Sequence, residues 1–210
     1  MQKILYLGTD KTFALKEYEV IHYPVIALIP RGLEDEKLKE CLRKLPFFSH
    51  VFFTSKNAVD IFFSLASDGA ALLQNKCISI GPATTIALQK RGITPLWEPA
   101  LSSQEGIIEE MKKHSWKDAY IFYPRSSLAR PLLSSYLEEI NITYEALDLY
   151  DTVCQAPIPA PSLDEVDEIF FTSPSTVEGF FNIFPQIPMG KKLRFQGAVT
   201  EASFNSKTYR

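Results

Sequence analysis

An internal repeat restricts the fold of this chain more than any other feature. The segment FFTSKNAVDIFF at residues 52–63 matches FFTSPSTVEGFF at residues 170–181 at both ends and in the centre. A second pair, IGPATT at residues 80–85 and QGAVTE at residues 196–201, follows at nearly the same separation. A repeat of roughly 115 residues is far longer than the units of solenoid proteins, so it indicates two duplicated domains.

The pattern around the first copy is typical of an α/β fold. From Val51 onward, short β-rich segments alternate with amphipathic helical patterns, as expected for a parallel sheet covered by four crossover helices. Ser102 and Glu105 predict a capping box at the start of one of these helices. The predicted strands are apolar along their length, as strands buried on both faces are. They are Val51–Thr54, Cys77–Ile80, Pro95–Trp97, Ala119–Tyr123 and Tyr144–Leu149.

The rest of the chain predicts a second domain that is discontinuous in sequence. Residues 154–162, CQAPIPAPS, indicate a linker because their prolines can neither donate ladder hydrogen bonds nor continue a helix. Glu168–Thr172 then predicts a strand before another helix, while Ile4–Leu7 and Val20–Ile29 predict strands with no complete crossover helix between them. These N-terminal strands need a partner sheet, so we expect them to join the C-terminal copy.

The predicted fold class is therefore α/β, with two similar doubly wound parallel-sheet lobes of the flavodoxin or Rossmann type. Residues 33–150 form a lobe inserted into a shortened terminal lobe of residues 1–32 and 154–210. The chain would cross between the lobes twice, at linkers near residues 28–34 and 149–160. Ligands of open α/β sheets bind at the carboxyl ends of the strands, so we predict the site in the cleft between the lobes.

Composition excludes several classes of partner. No apolar run approaches the roughly 20 residues that cross a bilayer, and the N-terminus lacks the pattern of a signal peptide. The three cysteines match neither a disulfide framework nor a CxxC pair, and the three histidines lie far apart. A formal net charge of −3 would repel nucleic acid. We expect a cytoplasmic monomer with no metal, membrane or nucleic-acid partner.

Two kinds of motif could bind an anionic ligand. Thr54 and Ser55, like Ser173 in the second copy, follow a strand and precede a helix, where hydroxyls and helix N-terminal amides converge. The structural alternative is that the serines are N-caps, which stabilise a helix by about 1 kcal/mol. Glycine and threonine recur in a Gly-x-x-Thr spacing, where the glycine allows close approach of an oxyanion or a tight turn. The residues are Gly81 with Thr84 and Gly197 with Thr200.

Few other side chains suggest chemistry. Arg125, Arg130 and Lys56 fall near predicted strand ends or helix starts and could supply positive charge or be solvated. Tyr150 falls at the second crossing between the lobes, where its phenol could donate a proton or pack on the ladder. No nucleotide-binding glycine fingerprint occurs, and the scarcity of histidine weakens the hypothesis of a nucleophilic hydrolase.

In their order along the chain, seven motifs resemble those of the uroporphyrinogen-III synthase family. The likeness runs from about Val51 to Thr200, and the family's two α/β lobes joined by a two-stranded ladder agree with the topology predicted from the repeat. Here the N-terminal strand feeds a truncated helix, and the chain after Thr200 is shorter than the family pattern. The motifs are FFTSKNAV, ISIGPATTIAL, SSQEGIIEEM, YPRSSLAR, ALDLYDTV, FFTSPSTV and QGAVT.

The resemblance implies a cofactor-free lyase that cyclises hydroxymethylbilane, a linear tetrapyrrole, to uroporphyrinogen III with inversion of ring D. By the family pattern, Tyr150 matches the tyrosine that assists departure of the terminal hydroxyl. Ser55, Thr84, Ser173 and Thr200 match positions that hold substrate, and Ser103 and Arg125 are further candidates. With Thr54, Gly81 and Gly197, these residues make up the predicted substrate-binding set.

Two other functions fit parts of the sequence. A non-catalytic bilobal binding or sensor protein could close on any anionic small molecule, and the shortened lobe favours this alternative slightly. A receiver-like signalling domain requires clustered acidic residues at strand ends. Thr-Ser pairs occupy those positions here, which disfavours that interpretation.

Overall fold

The computed structural model describes residues 1–32, 34–187 and 189–208. Leu33, where the inserted lobe is predicted to begin, lies outside the described residues, as do the last two residues of the predicted terminal lobe. The chain divides into two compact units, one made of residues 1–29 and 152–210 and the other of residues 30–151. We call them the terminal unit and the inserted unit.

The described residues form nine strands and seven α-helices. The strands are β1 Gln2–Tyr6, β2 Tyr18–His22, β3 Ile26–Pro30, β4 His50–Phe53, β5 Cys77–Ser79, β6 Tyr120–Ser126, β7 Thr143–Cys154, β8 Glu168–Phe171 and β9 Lys192–Phe195. The helices are α1 Glu36–Lys44, α2 Lys56–Leu65, α3 Pro82–Gln89, α4 Gln104–Met111, α5 Leu132–Glu139, α6 Pro174–Ile183 and α7 Ala198–Thr208. The predicted α/β fold class with parallel sheets is confirmed.

In the terminal unit, a four-stranded parallel sheet has the order β2-β1-β8-β9. Successive side chains of a strand point to opposite faces, so Leu5 and Phe171 face one way and Tyr6 and Phe170 the other. The first face packs against Phe180 of α6 and other apolar residues to form the core of this unit. On the second face, the ring of Phe13, from the segment between β1 and β2, stacks on Tyr6 at 4.0 Å between centroids.

In the inserted unit, the parallel strands β7-β6-β4-β5 lie in that order. Strand β3, of which only Pro30 belongs to this unit, lies beside β7 at the edge of the same sheet. Apolar residues on these strands alternate between two packed layers, one of which includes Phe52, Tyr123 and Leu137. Rings of Phe53, Phe62 and Phe122 form the other. The sheet is therefore buried on both sides, which explains its near-continuously apolar strands.

Strands β3 and β7 carry the two points where the chain passes from one unit to the other. Arg31 N donates to Leu149 O at 2.8 Å, and Gln155 N donates to Val25 O at 2.9 Å. Since residue numbers rise on one strand as they fall on the other, the pair is antiparallel. This is the two-stranded ladder that the family resemblance implies, at the two crossings that the repeat predicts.

Several local predictions differ from the structure. Pro95–Trp97 is not a strand: Leu96 N donates to Cys77 O and Trp97 O accepts from Ser79 N, but Pro95 has no N–H to extend the ladder. The serine that caps α4 is Ser103, not Ser102. Cys154, predicted to open the linker, is the last residue of β7, and residues 155–162 form neither helix nor strand. No described helix is long and apolar enough to cross a membrane.

Candidate active site

The carboxyl end of the β4-β6-β7 sheet brings Tyr150 together with two serines. Ser55 follows β4, Ser126 is the last residue of β6, and Tyr150 lies on β7 with only 4% of its surface exposed. The Ser55 Oγ lies 3.2 Å from the Tyr150 Oη. Ser126 also hydrogen-bonds the phenol through its side chain. The predicted catalytic residue therefore lies at the sheet edge where ligands of this fold class bind.

A β-bulge gives Tyr150 this position. Strands β6 and β7 pair in regular register up to Arg125 and Asp148, and the next pair is Ser126 with Tyr150. One residue of β7, Leu149, is thus skipped, and both it and Tyr150 are buried. A bulge re-aims the side chains that follow it, so it is the register shift that places the phenol opposite Ser126.

The phenol of Tyr150 is a proton donor rather than an anion at neutral pH. Burial raises its pKa above the ordinary value of 10.0, and the hydrogen bonds with Ser55 and Ser126 offset part of that increase. A protonated hydroxyl in a largely buried setting can give a proton to a departing oxygen. General-acid catalysis is the chemistry that the site supports.

A second buried cluster, which the sequence did not reveal, lies beside the first. The Gln104 Nε2 donates to the Tyr123 Oη and to the Arg130 carbonyl, each at 3.2 Å, while its Oε1 accepts from Leu133 N at 3.1 Å. Burial raises the pKa of the same phenol, and a hydrogen bond with Thr54 offsets part of that increase. Gln104 thus ties the start of α5 to β6. A single glutamine at a helix start gives no pattern by which it could have been found.

The two arginines predicted to supply positive charge are engaged in ion pairs. The Arg125 Nε donates to Asp148 at 2.9 Å, its Nη1 donates to Ser134 at 2.8 Å, and its guanidinium lies over the ring of Tyr123. Arg130 binds both carboxylate oxygens of Glu105, at 2.7 and 2.8 Å. Arg125 is therefore held by its own unit, and a substrate carboxylate would have to compete with Asp148.

The Arg130–Glu105 pair predicts a specific pH dependence of stability. The hydrogen bonds from Arg130 lower the pKa of Glu105 from 4.5 to about 2. Such a carboxylate adds stability that is complete above its unfolded pKa and is lost as the pH falls through the folded one. We expect Arg130→Met to reduce the loss of unfolding free energy between about pH 6 and about pH 3, by less than about 1 kcal/mol because both groups are solvent-exposed.

Urea unfolding at the two pH values measures this effect, with Arg43→Met on the exposed side of α1 as the matched control. An Arg130→Met protein with the parent's pH dependence would show that the pair contributes nothing to it.

At the start of α3, the predicted anion contacts are largely used within the protein. A side chain on Gly81 would meet the Ser102 Cβ at 2.7 Å, so this glycine makes room for Ser102. Pro82, the first residue of the helix, has no N–H, and the Thr84 and Thr85 N–H groups donate to the Gly81 carbonyl. Thr84 is 2% exposed. The start of α3 therefore has fewer backbone N–H groups available to an anionic ligand than the motif alone predicts.

The serines of the predicted set are N-caps, as the structural alternative held. Ser55 accepts from Ala58 N at 3.0 Å and Ser103 from Gly106 N at 3.2 Å. Ser173 forms a capping box with Thr176. The hydroxyl of Thr176, which sequence analysis did not single out, also accepts from Thr172 N and Ser173 N at 3.0 Å. A capping serine keeps its own proton, so each can still donate to another group.

Gly197 and Thr200 shape the start of α7. Gly197 has a φ of 96°, a left-handed conformation that glycine adopts at no steric cost. Its carbonyl accepts from Thr200 N at 3.2 Å. The Thr200 hydroxyl donates to Gln196 O at 3.4 Å, and the residue is 2% exposed. The glycine thus serves a tight turn, the alternative that its spacing left open.

Comparison with known proteins identifies relatives over nearly the whole chain. The family model for uroporphyrinogen-III synthase HemD matches residues 9–209. The porphyrin biosynthesis protein HemD of Ruminiclostridium josui is 25% identical over 184 residues, which cover 81% of this chain and 36% of that protein. A putative uroporphyrinogen-III synthase of Methanothermobacter thermautotrophicus is 29% identical over 157 residues, which cover 70% of this chain and 62% of the relative. The chain thus spans less than two thirds of the length of each of these relatives.

Solved structures share the fold. A mutant uroporphyrinogen III synthase of the extremely thermophilic bacterium Thermus thermophilus superposes with a TM-score of 0.67 at 16% identity, covering 99% of this chain and 89% of that one. Uroporphyrinogen-III synthetase of Helicobacter pylori gives a TM-score of 0.66 at 17% identity, and the match again covers 99% of this chain and 89% of the other. At these identities, the likeness establishes the fold alone.

Proposed function

The chain belongs to the uroporphyrinogen-III synthase family, and on this premise we propose that it cyclises hydroxymethylbilane to uroporphyrinogen III with loss of water and inversion of ring D. The observation that carries the proposal is the match of the family model from residue 9 to residue 209, which includes both copies of the repeat. The protonated, hydrogen-bonded phenol of Tyr150 supports it, because the reaction begins with the departure of a hydroxyl.

The proposed role of Tyr150 is to protonate that hydroxyl. As the carbon–oxygen bond on ring A breaks, the phenol proton and the hydroxyl leave together as water, which leaves an electrophilic azafulvenium cation on ring A and a phenolate on Tyr150. Ring D then attacks through its substituted carbon, and the resulting spiro intermediate fragments and recloses with ring D reversed. The proton released on ring closure balances the one that the phenol gave. A phenol with a raised pKa regains its proton readily.

Orientation is the other demand on the site. Without a catalyst the bilane closes head to tail, so the protein must hold ring D where its substituted carbon is the nearer nucleophile. Thr54, Ser55, Gly81, Thr84, Ser103, Arg125, Ser173, Gly197 and Thr200 are proposed to contact the substrate's carboxylates. Buried Thr84 and Thr200 would contribute through the shape of the helix starts rather than their hydroxyls. A cytoplasmic monomer without a nucleic-acid partner stays a prediction.

An isomer assay tests the function directly. The protein is incubated with freshly generated hydroxymethylbilane, the products are oxidised to porphyrins, and the two isomers are separated by chromatography. We expect the ring-D-inverted isomer to predominate, while a parallel reaction with heat-denatured protein gives the unflipped isomer. If the native protein also gives only the unflipped isomer, the enzyme proposal is wrong and the binding-protein alternative gains support.

A further inference from the structure

Two serine hydroxyls meet the phenol of Tyr150, and the backbone orients both of them. The Ser55 Oγ accepts from Ala58 N at 3.0 Å and lies 3.2 Å from the phenol oxygen. The Ser126 Oγ accepts from Leu128 N at 3.2 Å, and Ser126 stands opposite Tyr150 in the β6–β7 register. Each serine oxygen thus has one of its two acceptor positions occupied by a backbone N–H.

Counting protons restricts the arrangement of this trio. The phenol carries a single proton, so it can donate to at most one serine, and at least one serine must donate to it. A hydroxyl that already accepts a hydrogen bond is polarised and becomes a better donor. If both serines donate, they occupy both lone pairs of the phenol oxygen. The phenol proton then has no acceptor within the trio and is available to a bound molecule.

We propose that Ser126, together with Ser55, is a positioning residue that directs the phenol proton of Tyr150 toward the leaving hydroxyl of the substrate. This inference rests on the proposed function. It assigns a role to Ser126, and it changes the role of Ser55 from contact with the substrate to support of the acid. Once the phenol has given up its proton, the same two donors face a phenolate. Hydrogen bonds to a charged acceptor are stronger, so the serines stabilise the transition state more than the ground state.

The electrostatics of Tyr150 agree with this geometry. Burial raises the pKa of the phenol, whereas the hydrogen bonds with Ser55 and Ser126 lower it. A hydrogen bond lowers the pKa of an acid when it favours the charged form. Removing either hydroxyl should therefore raise the pKa of Tyr150 further.

The test compares Ser126→Ala with variants that retain a hydroxyl or leave the site unchanged. We expect Ser126→Ala to lower kcat about tenfold with little change in KM, the effect of losing one hydrogen bond to a developing charge. The alkaline limb of the kcat profile should move to higher pH, because that limb reports deprotonation of the acid. Ser126→Thr should restore both properties. Ser135→Ala, at an exposed position on α5, should match the parent.

A double-mutant comparison tests whether Ser126 acts through Tyr150. In a Tyr150→Phe background, Ser126→Ala should cost no further activity, because the group that it positions is gone. A tenfold loss in both backgrounds would overturn the inference. Should Ser126→Ala fail to fold, Ser126→Cys serves in its place, since a thiol is a weak donor of similar size.

A titration without substrate separates this inference from the function itself. Ultraviolet difference absorbance, with the Tyr150→Phe signal subtracted, isolates the ionisation of Tyr150, which should move to higher pH in Ser126→Ala. An unchanged titration and unchanged kcat profile, in a protein that makes the inverted isomer, would overturn the positioning role alone. A wild-type protein that makes only the unflipped isomer would overturn the proposed function, and with it the role in catalysis, whatever the titration shows.

Discussion

Replacing Tyr150 with phenylalanine is expected to slow the dehydration of hydroxymethylbilane about 100-fold, the usual contribution of a general acid. The ring remains to fill its buried position, so the loss should reflect the missing proton rather than misfolding. The rate of ring closure in a single turnover, with enzyme in excess over hydroxymethylbilane, reports this step without interference from product release. In energy the effect corresponds to about 2.7 kcal/mol of transition-state stabilisation.

The matched control is Tyr136→Phe, because Tyr136 also belongs to the inserted unit, where it lies on α5 and packs against the core that includes Phe52 and Tyr123. It should keep the parent rate. A Tyr150→Phe protein with a single-turnover rate near that of the parent would remove the general-acid role.

The largest expected effect on stability is that of Phe171→Ala in the terminal unit. Phe171 is fully buried, and its ring lies 5.2–5.6 Å from those of Phe180, Phe195 and Phe204. Truncation removes both the transfer free energy and the contacts around a cavity, so we expect the free energy of unfolding to fall by about 3–5 kcal/mol. A small α/β unit has few other contacts with which to compensate.

Urea unfolding followed by far-ultraviolet circular dichroism measures this loss. Trp97 and Trp116 both lie in the inserted unit, so tryptophan fluorescence would follow the other part of the chain. Phe47→Ala is the matched control, because 73% of Phe47 is exposed and its truncation should cost less than about 0.5 kcal/mol. A loss below about 1 kcal/mol for Phe171→Ala would contradict the packing described for this unit.

The repeat allowed much of the fold to be predicted. Each FFTS segment forms the end of a strand and the start of a helix, and Ser55 and Ser173 cap the helices that follow. The strand, the helix cap and the helix depend on local sequence: an apolar run, a capping hydroxyl and an amphipathic stripe, respectively. Helix α1 was not predicted, although its buried Leu38 and Cys41 are spaced as one face of a helix. Two buried positions are too few to establish a helical periodicity from sequence.

The site was less predictable than the fold because its contacts are long-range. Tyr150 could be singled out from its motif, but Ser126 lies in a different strand, and the two meet only through the β6–β7 register. Gln104 likewise connects groups from three separate segments. Arg125 was predicted to supply positive charge from its place near a strand end, and to contact substrate from the family pattern. The carboxylate of Asp148 that pairs with it comes from the neighbouring strand, which sequence spacing does not reveal.

The skipped residue between Asp148 and Tyr150 has a consequence for how such a chain can evolve. Substitutions along β7 can keep the phenol in place, provided that they respect burial, whereas a single-codon insertion or deletion upstream of Tyr150 would exchange the inward and outward faces of everything after it. Selection must then preserve the number of residues in β7 before Tyr150 more strictly than their amino-acid identities. Lineages that retain the tyrosine should tolerate substitutions that respect burial between residues 143 and 149, but almost no insertions or deletions there.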